Sequence, residues 1–299
     1  MLLVLGALVP GTLAMAAVWG MGVLWNVAVS VLACAAVEAL CVALRGASVR
    51  FHLRDGSATV AGWLMAIALP PWTELYVLLI AALGAMALAK HAYGGAGHNL
   101  FNPAMVGYAL VLVSFPGAVD HWPPVSSTPD ALTGATLLSE FRYGRGFTAD
   151  EFAAIHASAM EQQLWIAGAF AAGGLCLVWT RVAHWRIPVA VFTGVIVAAL
   201  FGSDAGSSEG HGGAWFHITT GGFVVAAFFV ATDPMTHPRD PRHQLLFGVT
   251  IGVLIYLIRA FGAYPDGIAF AVLLANALTP LLNRMALARG QRTPGAVEP

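Results

Sequence analysis

Charge is what this sequence has least of. Lys and Arg together number 14 and Asp and Glu 15 in 299 residues, or 10% of the chain. A soluble domain carries about a quarter charged residues. With 59% hydrophobic residues and a mean hydropathy of +0.77, this composition describes a polytopic membrane protein with little mass outside the bilayer. The net charge of −1 argues against a nucleic-acid partner. Cysteine is scarce as well. Cys34, Cys41 and Cys176 fall in apolar stretches without metal-ligand spacing. Buried structural thiols are expected there, and neither a disulfide framework nor an iron–sulfur site is supported. No His-x-x-His or Cys-x-x-Cys pair shares a helix face, so no metal is expected. No phosphate-binding loop follows a strand pattern. The Gly94–Gly97 run joins two apolar segments, which is the wrong context for a dinucleotide fold. No basic stretch precedes the apolar run from Leu2, so that run reads as a spanning helix and not a signal peptide.

What is present is a series of ten apolar segments that span or nearly span a bilayer. They cover 2–18, 21–44, 57–70, 74–90, 102–116, 163–180, 187–202, 218–232, 243–260 and 267–286. With the N-terminus inside, Arg45, Arg50, Arg54, Lys90, Arg181, Arg186, Arg239, Arg242, Arg284, Arg289 and Arg292 all lie on the inner side, and only Arg142, Arg145 and Arg259 lie outside. This asymmetry predicts that both termini are cytoplasmic.

The two halves share a pattern. In each, a Gly-containing start (Asp55-Gly56-Ser57; Thr220-Gly221-Gly222) opens a short segment that stops at proline (Pro70-Pro71; Asp233-Pro234). A full segment follows, and then a second break: Gly94 to Pro103 in the first half, Tyr264 to Gly267 in the second. Five segments per half would insert the repeats in opposite orientations, and paired interrupted helices point to a site near the pseudo-two-fold. The expected organisation is a first repeat at 1–116, an outer loop at 117–162, a second repeat at 163–288 and a polar tail at 289–299. Asn102 before Pro103 is a helix cap, and Asp266 before Gly267 could cap the last helix likewise. Each break alone reads as helix punctuation; their paired placement favours binding.

The longest polar interval is the 117–162 loop, expected on the outer face and without obvious strands or helices. It holds Asp130-Ala131-Leu132-Thr133-Gly134-Ala135-Thr136-Leu137-Leu138, which presents hydroxyls between small neighbours. As a string it also describes an ordinary capped loop. Among intramembrane charges, Glu38 stands within the second segment. A carboxylate there is costly and is a functional candidate, either on an ion or proton path or as a neutral acid bonded to a neighbouring helix. Asp55, Lys90 and Asp233 lie at segment edges and read as solvated ends.

Four stretches carry a resemblance: Asp55-Gly56-Ser57-Ala58; Tyr93 to Tyr108, with Gly94-Gly95-Ala96-Gly97-His98-Asn99-Leu100-Phe101-Asn102-Pro103 at its centre; Phe228 to Pro234; and Tyr264 to Leu274. In this order they resemble the RnfD family, membrane subunits of the Rnf electron-transfer complex and homologous to NqrB of the sodium-pumping NADH:quinone oxidoreductase. Thr133-Gly134-Ala135-Thr136 is similar to that family's flavinylation motif. The resemblance implies FMN joined through its phosphate to Thr136, attached by a separate flavin transferase. It also implies a flavin that relays electrons between ferredoxin and NAD, coupled to Na+ or H+ movement across a bacterial inner membrane. The partners it implies are membrane lipid and the complex's A, B, C, E and G subunits, with no activity expected of the chain alone and no catalytic side chain of its own. Relatives of the NqrB type also hold a non-covalent riboflavin, for which Asn99, Asn102 and Asp233 at the helix breaks are candidates. Family members begin with a polar stretch; here the first apolar segment starts at residue 2.

Three other readings compete: an NqrB-like subunit, a flavin-free solute channel or transporter of the urea or ammonia kind, and a purely structural subunit that keeps the motif without the modification. On the sequence pattern alone, ten helices in inverted repeats with paired breaks favour the channel, and flavin is the discriminator.

Overall fold

The structure is a computed structural model. It describes residues 1–95, 97–119, 122–123, 137–143, 149–202, 211–264 and 266–290. Among these the architecture is all-helical, in chain order α1 (Leu2–Trp19), α2 (Gly22–Leu44), α3 (Val49–Leu53), α4 (Ser57–Ile67), α5 (Leu75–Leu83), α6 (Pro103–Ser114), α7 (Pro116–Val119), α8 (Leu137–Tyr143), α9 (Ala149–Ile155), α10 (Ala157–Trp179), α11 (Arg186–Gly202), α12 (Ala214–Thr219), α13 (Phe223–Val225), α14 (Pro241–Phe261) and α15 (Ile268–Gly290). Helix α5 continues as a π-helix over Gly84–His91, and α13 as another over Ala226–Val230.

Among the described residues, five helices are long and apolar enough to cross a membrane: α1, α2, α10, α14 and α15. Helices α4, α6, α11 and the α5 stretch through His91 are apolar but shorter. Helix α4 has 11 residues, which at ~1.5 Å per residue cover only about half of a ~30 Å hydrocarbon core. Its shortness has a cause: it starts after Gly56 in the left-handed region (φ 72°) and stops before Pro70-Pro71. The apolar stretch 218–232 is split at Gly221-Gly222 into α12 and α13. These are the interruptions that glycine and proline signal in the sequence.

Packing between helices rests on small residues, as it must where lipid supplies no hydrophobic drive. Helices α11 and α14 form the most extensive pair. A Cβ on Gly194 would lie 2.5 Å from the Val249 carbonyl oxygen, one on Gly248 2.8 Å from that of Ile187, and one on Gly252 would strike that of Val191. Gly62 meets Ser30 between α4 and α2 in the same way, and Gly107 meets Ala81 between α6 and α5. Helix α1 packs on α10 and α6 on α15, which joins the first half of the chain to the second.

The interval 117–162, expected to lack regular structure, is partly helical. Its described residues include most of α7, then α8, α9 and the start of α10, which begins at Ala157 and not near 163. Leu137, Leu138, Phe152, Ala159 and Phe216 build a small separate core there, with the Phe141 and Phe216 rings 4.6 Å apart. Apolar residues spaced for this contact are too few to register as a helix period. The cysteines also differ from expectation: Cys34 is buried, Cys41 half-buried, and Cys176 exposed on the outer surface of α10.

Helix α14 starts on a well-made cap. Asp240 Oδ1 accepts from the backbone N–H of Arg242 at 2.8 Å and of His243 at 3.2 Å. The His243 N–H is the main reason its carboxyl sits below the ordinary carboxylate range, with the Arg242 N–H adding to it.

Candidate functional site

The breaks in the two halves line two cavities. The larger, of about 440 Å³, lies among α4, the 94–103 break and the 232–235 turn. Asn99, Asn102 and Asp233, singled out separately in the sequence, all line it, as do Asp55, Ser57 and Lys90. Asn102 acts as the expected cap of α6: its Oδ1 accepts from Met105 N–H at 3.2 Å. Its own N–H donates to Asn276 Oδ1 at 3.1 Å, and its Nδ2 donates to Asp233 Oδ2 at 3.4 Å. Asp233 is held in turn by the Met235 N–H at 3.2 Å and the Thr236 hydroxyl at 3.4 Å. Asn276 in α15 donates to Thr236 O at 3.3 Å. One polar network therefore ties the first-half break to the second-half turn and to the last helix. Val60, Leu64, Met86 and Phe229 supply the cavity's apolar walls.

The smaller cavity, of about 140 Å³, has aromatic walls from Trp19, Tyr108, Trp122, Phe170 and Tyr264. Trp19 and Trp122 meet edge to face at 4.9 Å. Trp19 Nε1 is buried without a hydrogen-bond partner among the described residues. Leu137 and Leu138 line this cavity too, with Gly221, Gly222 and Asp266. Gly221 has φ +65°, and a Cβ on it would lie 2.7 Å from Leu138 Cδ1 and 3.0 Å from Arg259, so the wall requires glycine. Asp266 does not serve as the simple cap expected. Its carboxylate accepts from Arg259 at 3.2 Å and from Gly222 N–H at 3.4 Å. Arg259, buried near the end of α14, also donates to the carbonyls of His217 (2.7 Å) and Thr220 (3.2 Å). Buried carbonyls freed by the Gly221-Gly222 break need such a donor. Thr133, Gly134, Ala135 and Thr136 lie outside the described residues, and the described chain resumes at Leu137.

Glu38 is fully buried in α2 and ion-paired with Lys90. Lys90 is therefore no solvated helix end: it is 3% exposed and reaches inward from the π-helical turn at the end of α5. Its Nζ also donates to Ser57 Oγ at 2.6 Å. Ser57 Oγ donates to Asp55 Oδ1 at 2.5 Å. Asp55 alone of the three edge charges is exposed as expected; Asp233 is half-buried. A sequence signal for Lys90 exists, since it is the only lysine in the chain. Neither it nor Arg259 sits near its partner in a readable motif.

The profile of the family described as "NQR2, RnfD, RnfE family" matches residues 1–290. The chain belongs to that family. Over 306 residues it is 39% identical to the D subunit of the ion-translocating oxidoreductase complex of Pseudomonas aeruginosa (strain UCBPP-PA14), with 95% of this chain and 88% of the relative covered. The corresponding protein of Ectopseudomonas mendocina (strain ymp) is 38% identical over 318 residues, covering 99% and 92%. That of Cellvibrio japonicus (strain Ueda107) is 36% identical over 311 residues, covering 95% and 87%. Membership of this family favours the redox reading over the solute channel that the helix pattern alone left open.

Proposed function

We propose that this chain is the flavin-bearing membrane subunit of an Rnf-type ion-translocating oxidoreductase, relaying electrons between ferredoxin and NAD with coupled Na+ or H+ movement. FMN is joined by a phosphoester to Thr136 through a dedicated transferase. The observation that carries the reading is the aromatic cavity lined by Leu137 and Leu138, the two residues that directly follow Thr136. Phe170 and the Trp19 and Trp122 rings offer faces for a planar ring system, and the unpartnered Trp19 N–H offers a donor. Aromatic contact of this kind contributes beyond area burial. The flavin, when bound, supplies one- and two-electron transfer; the protein's part is to hold it, exclude water and set its potential.

The larger cavity suits a second, non-covalent flavin. Its donors and acceptors are the Asn99 and Asn102 amides and the Asp233 carboxyl, with Lys90 as the cation and apolar walls for the ring faces. Such a site is mostly apolar with a few placed polar groups, the usual composition of a ligand pocket.

The topology follows the same reading. Contacts repeat between the halves: α2 with α4 and α5 in the first, α11 with α12 and α14 in the second, then α5 with α6 and α14 with α15. Ten membrane segments in two inverted repeats, with cytoplasmic termini and the Thr136 loop on the outer face of the inner membrane, account for this repetition and for the charge asymmetry. The partners are the other Rnf subunits and the transferase. Mass spectrometry of the chain co-produced with a flavin transferase tests the central point. A peptide carrying FMN at Thr136 supports it; an unmodified Thr136 with the transferase active removes it.

A further inference from the structure

The chain from Asp55 to Glu38 is a continuous line of hydrogen-bonding groups that runs from solvent into the fully buried interior. Asp55 is exposed and lines the larger cavity. It accepts from the Ser57 hydroxyl at 2.5 Å; Ser57 accepts from Lys90 Nζ at 2.6 Å; Lys90 pairs with Glu38. Glu38 Oε2 is buried and has no partner among the described residues. His91 Nε2 stands 3.8 Å from Glu38 Oε1, and both His91 nitrogens are buried without hydrogen bonds among the described residues. The other titratable groups facing Glu38 are Cys34, one turn back on α2, and His52 and Asp55 from the 49–55 segment. A structural pair would be satisfied on both partners; this one ends in an unpaired carboxylate oxygen.

The identity of the cation matters. Lys90 is the one lysine beside 13 arginines among the 14 Lys and Arg residues of the chain. Arginine stays protonated in proteins, whereas lysine can give up a proton when desolvated. Lysine is used at the one point where a proton would have to pass.

We propose that Asp55, Ser57 and Lys90 form a proton relay that charges Glu38 from the cavity side. Lys90 gives one proton to Glu38 Oε1: an N–H bond breaks, an O–H bond forms, and the ion pair becomes a neutral amine and a carboxylic acid. Asp55 takes a proton from solvent; the Ser57 hydroxyl then turns to give its proton to the amine while its oxygen receives the proton from the Asp55 carboxyl, which leaves Asp55 as the carboxylate and Lys90 as the ammonium again. One proton moves from solvent to Glu38 and no electron changes hands. The same buried face of α2 carries Cys34, Ser30 and Asn26 at four-residue spacing, and Ser30 Oγ and Asn26 Oδ1 are also buried without partners among the described residues. The onward direction is along this face.

The relay deepens the ion-translocating reading and rests on it for its purpose. Its test needs no electron transfer, so its failure leaves the flavin reading untouched. The full-length chain in detergent is acidified rapidly and followed by infrared difference spectroscopy. The carboxylic-acid C=O band that vanishes in Glu38→Gln belongs to Glu38. Ser57→Ala and Lys90→Arg are expected to slow the rise of that band by about 10²-fold, the loss typical of a positioned proton-transfer group, with its final amplitude kept. Ser57→Thr, which keeps the hydroxyl, is expected to restore the rate. Circular dichroism on each variant confirms the helical fold, and Ser57→Ala alone decides if Lys90→Arg fails to fold. A Ser57→Ala chain that protonates Glu38 at the unmodified rate, or the absence of any band assigned to Glu38, overturns the relay.

Discussion

Asn102 Nδ2 donates to Asp233 Oδ2 at 3.4 Å across 131 residues of sequence. The contact closes one wall of the larger cavity and joins the break of the first half to the turn of the second. Asn102 is also a helix cap, so its two roles can be separated by substitution. Asn102→Asp keeps a capping oxygen but sets a carboxylate against Asp233. Asn102→Ala removes both. Asn102→Ala is expected to cost about 1 kcal/mol through the lost cap and to abolish non-covalent flavin retention, read as riboflavin released on denaturation of the purified chain. Asn102→Asp is expected to keep the helix and still lose the riboflavin. Retention of riboflavin in both variants would move the second flavin elsewhere.

Much of this arrangement is legible in the sequence, and the limits are physical. Pro70-Pro71, Asn102-Pro103 and Gly221-Gly222 announce the breaks because proline and glycine act locally. Glu38 stands out because a carboxylate in an apolar run has no local explanation. Its partner Lys90 does not stand out, because 52 residues separate them and a lysine at a segment edge is normally solvated. The π-helical turns at Gly84–His91 and Ala226–Val230 have no sequence signature; the first packs against α2 and α6 and the second against α10, α11 and α15, and such turns often mark functional sites. Asn102 and Asp233 are identifiable one by one, but not as a single network with Asn276 and Thr236; Asn99 joins them as a lining residue of the same cavity.

The Glu38–Lys90 pair predicts non-additive energetics. Glu38→Gln alone leaves a buried ammonium without its counter-charge, and a loss of about 3–5 kcal/mol is expected. Adding Lys90→Met to Glu38→Gln should return most of that loss. Thermal unfolding of the four proteins in one detergent measures the cycle. Additive losses would mean that the pair is not coupled.

Asp240 sets a pH dependence with a definite sign. Its carboxyl is held below the ordinary range chiefly by the His243 N–H, so the folded state binds the proton less tightly than the unfolded chain. The stabilisation is fully present above the ordinary carboxylate value and is lost as pH falls through the lowered one. Asp240→Ala is expected to reduce the unfolding temperature at neutral pH, with the difference from the unmodified chain disappearing in acid. A pH-independent difference would assign the effect to something other than the ionised cap.

The α11–α14 contact predicts intolerance to bulk. A Cβ on Gly252 strikes the Val191 carbonyl, so the backbones must part to accept one. Gly252→Ala is expected to cost about 1–3 kcal/mol, the range for overpacking a filled interface. Gly6, with nothing within 4 Å of an added Cβ, is the matched control and should accept alanine without loss. Equal unfolding temperatures for the Gly252 and Gly6 variants would contradict the close-packed contact.

The central claim is a covalent flavin at Thr136, beside the aromatic cavity that Leu137 and Leu138 line. In-gel flavin fluorescence of the denatured chain, produced with an active flavin transferase, measures it most directly. The account predicts fluorescence in the unmodified chain and in Thr133→Val, and none in Thr136→Val. A dark unmodified chain, or a Thr136→Val chain that still fluoresces, would contradict it.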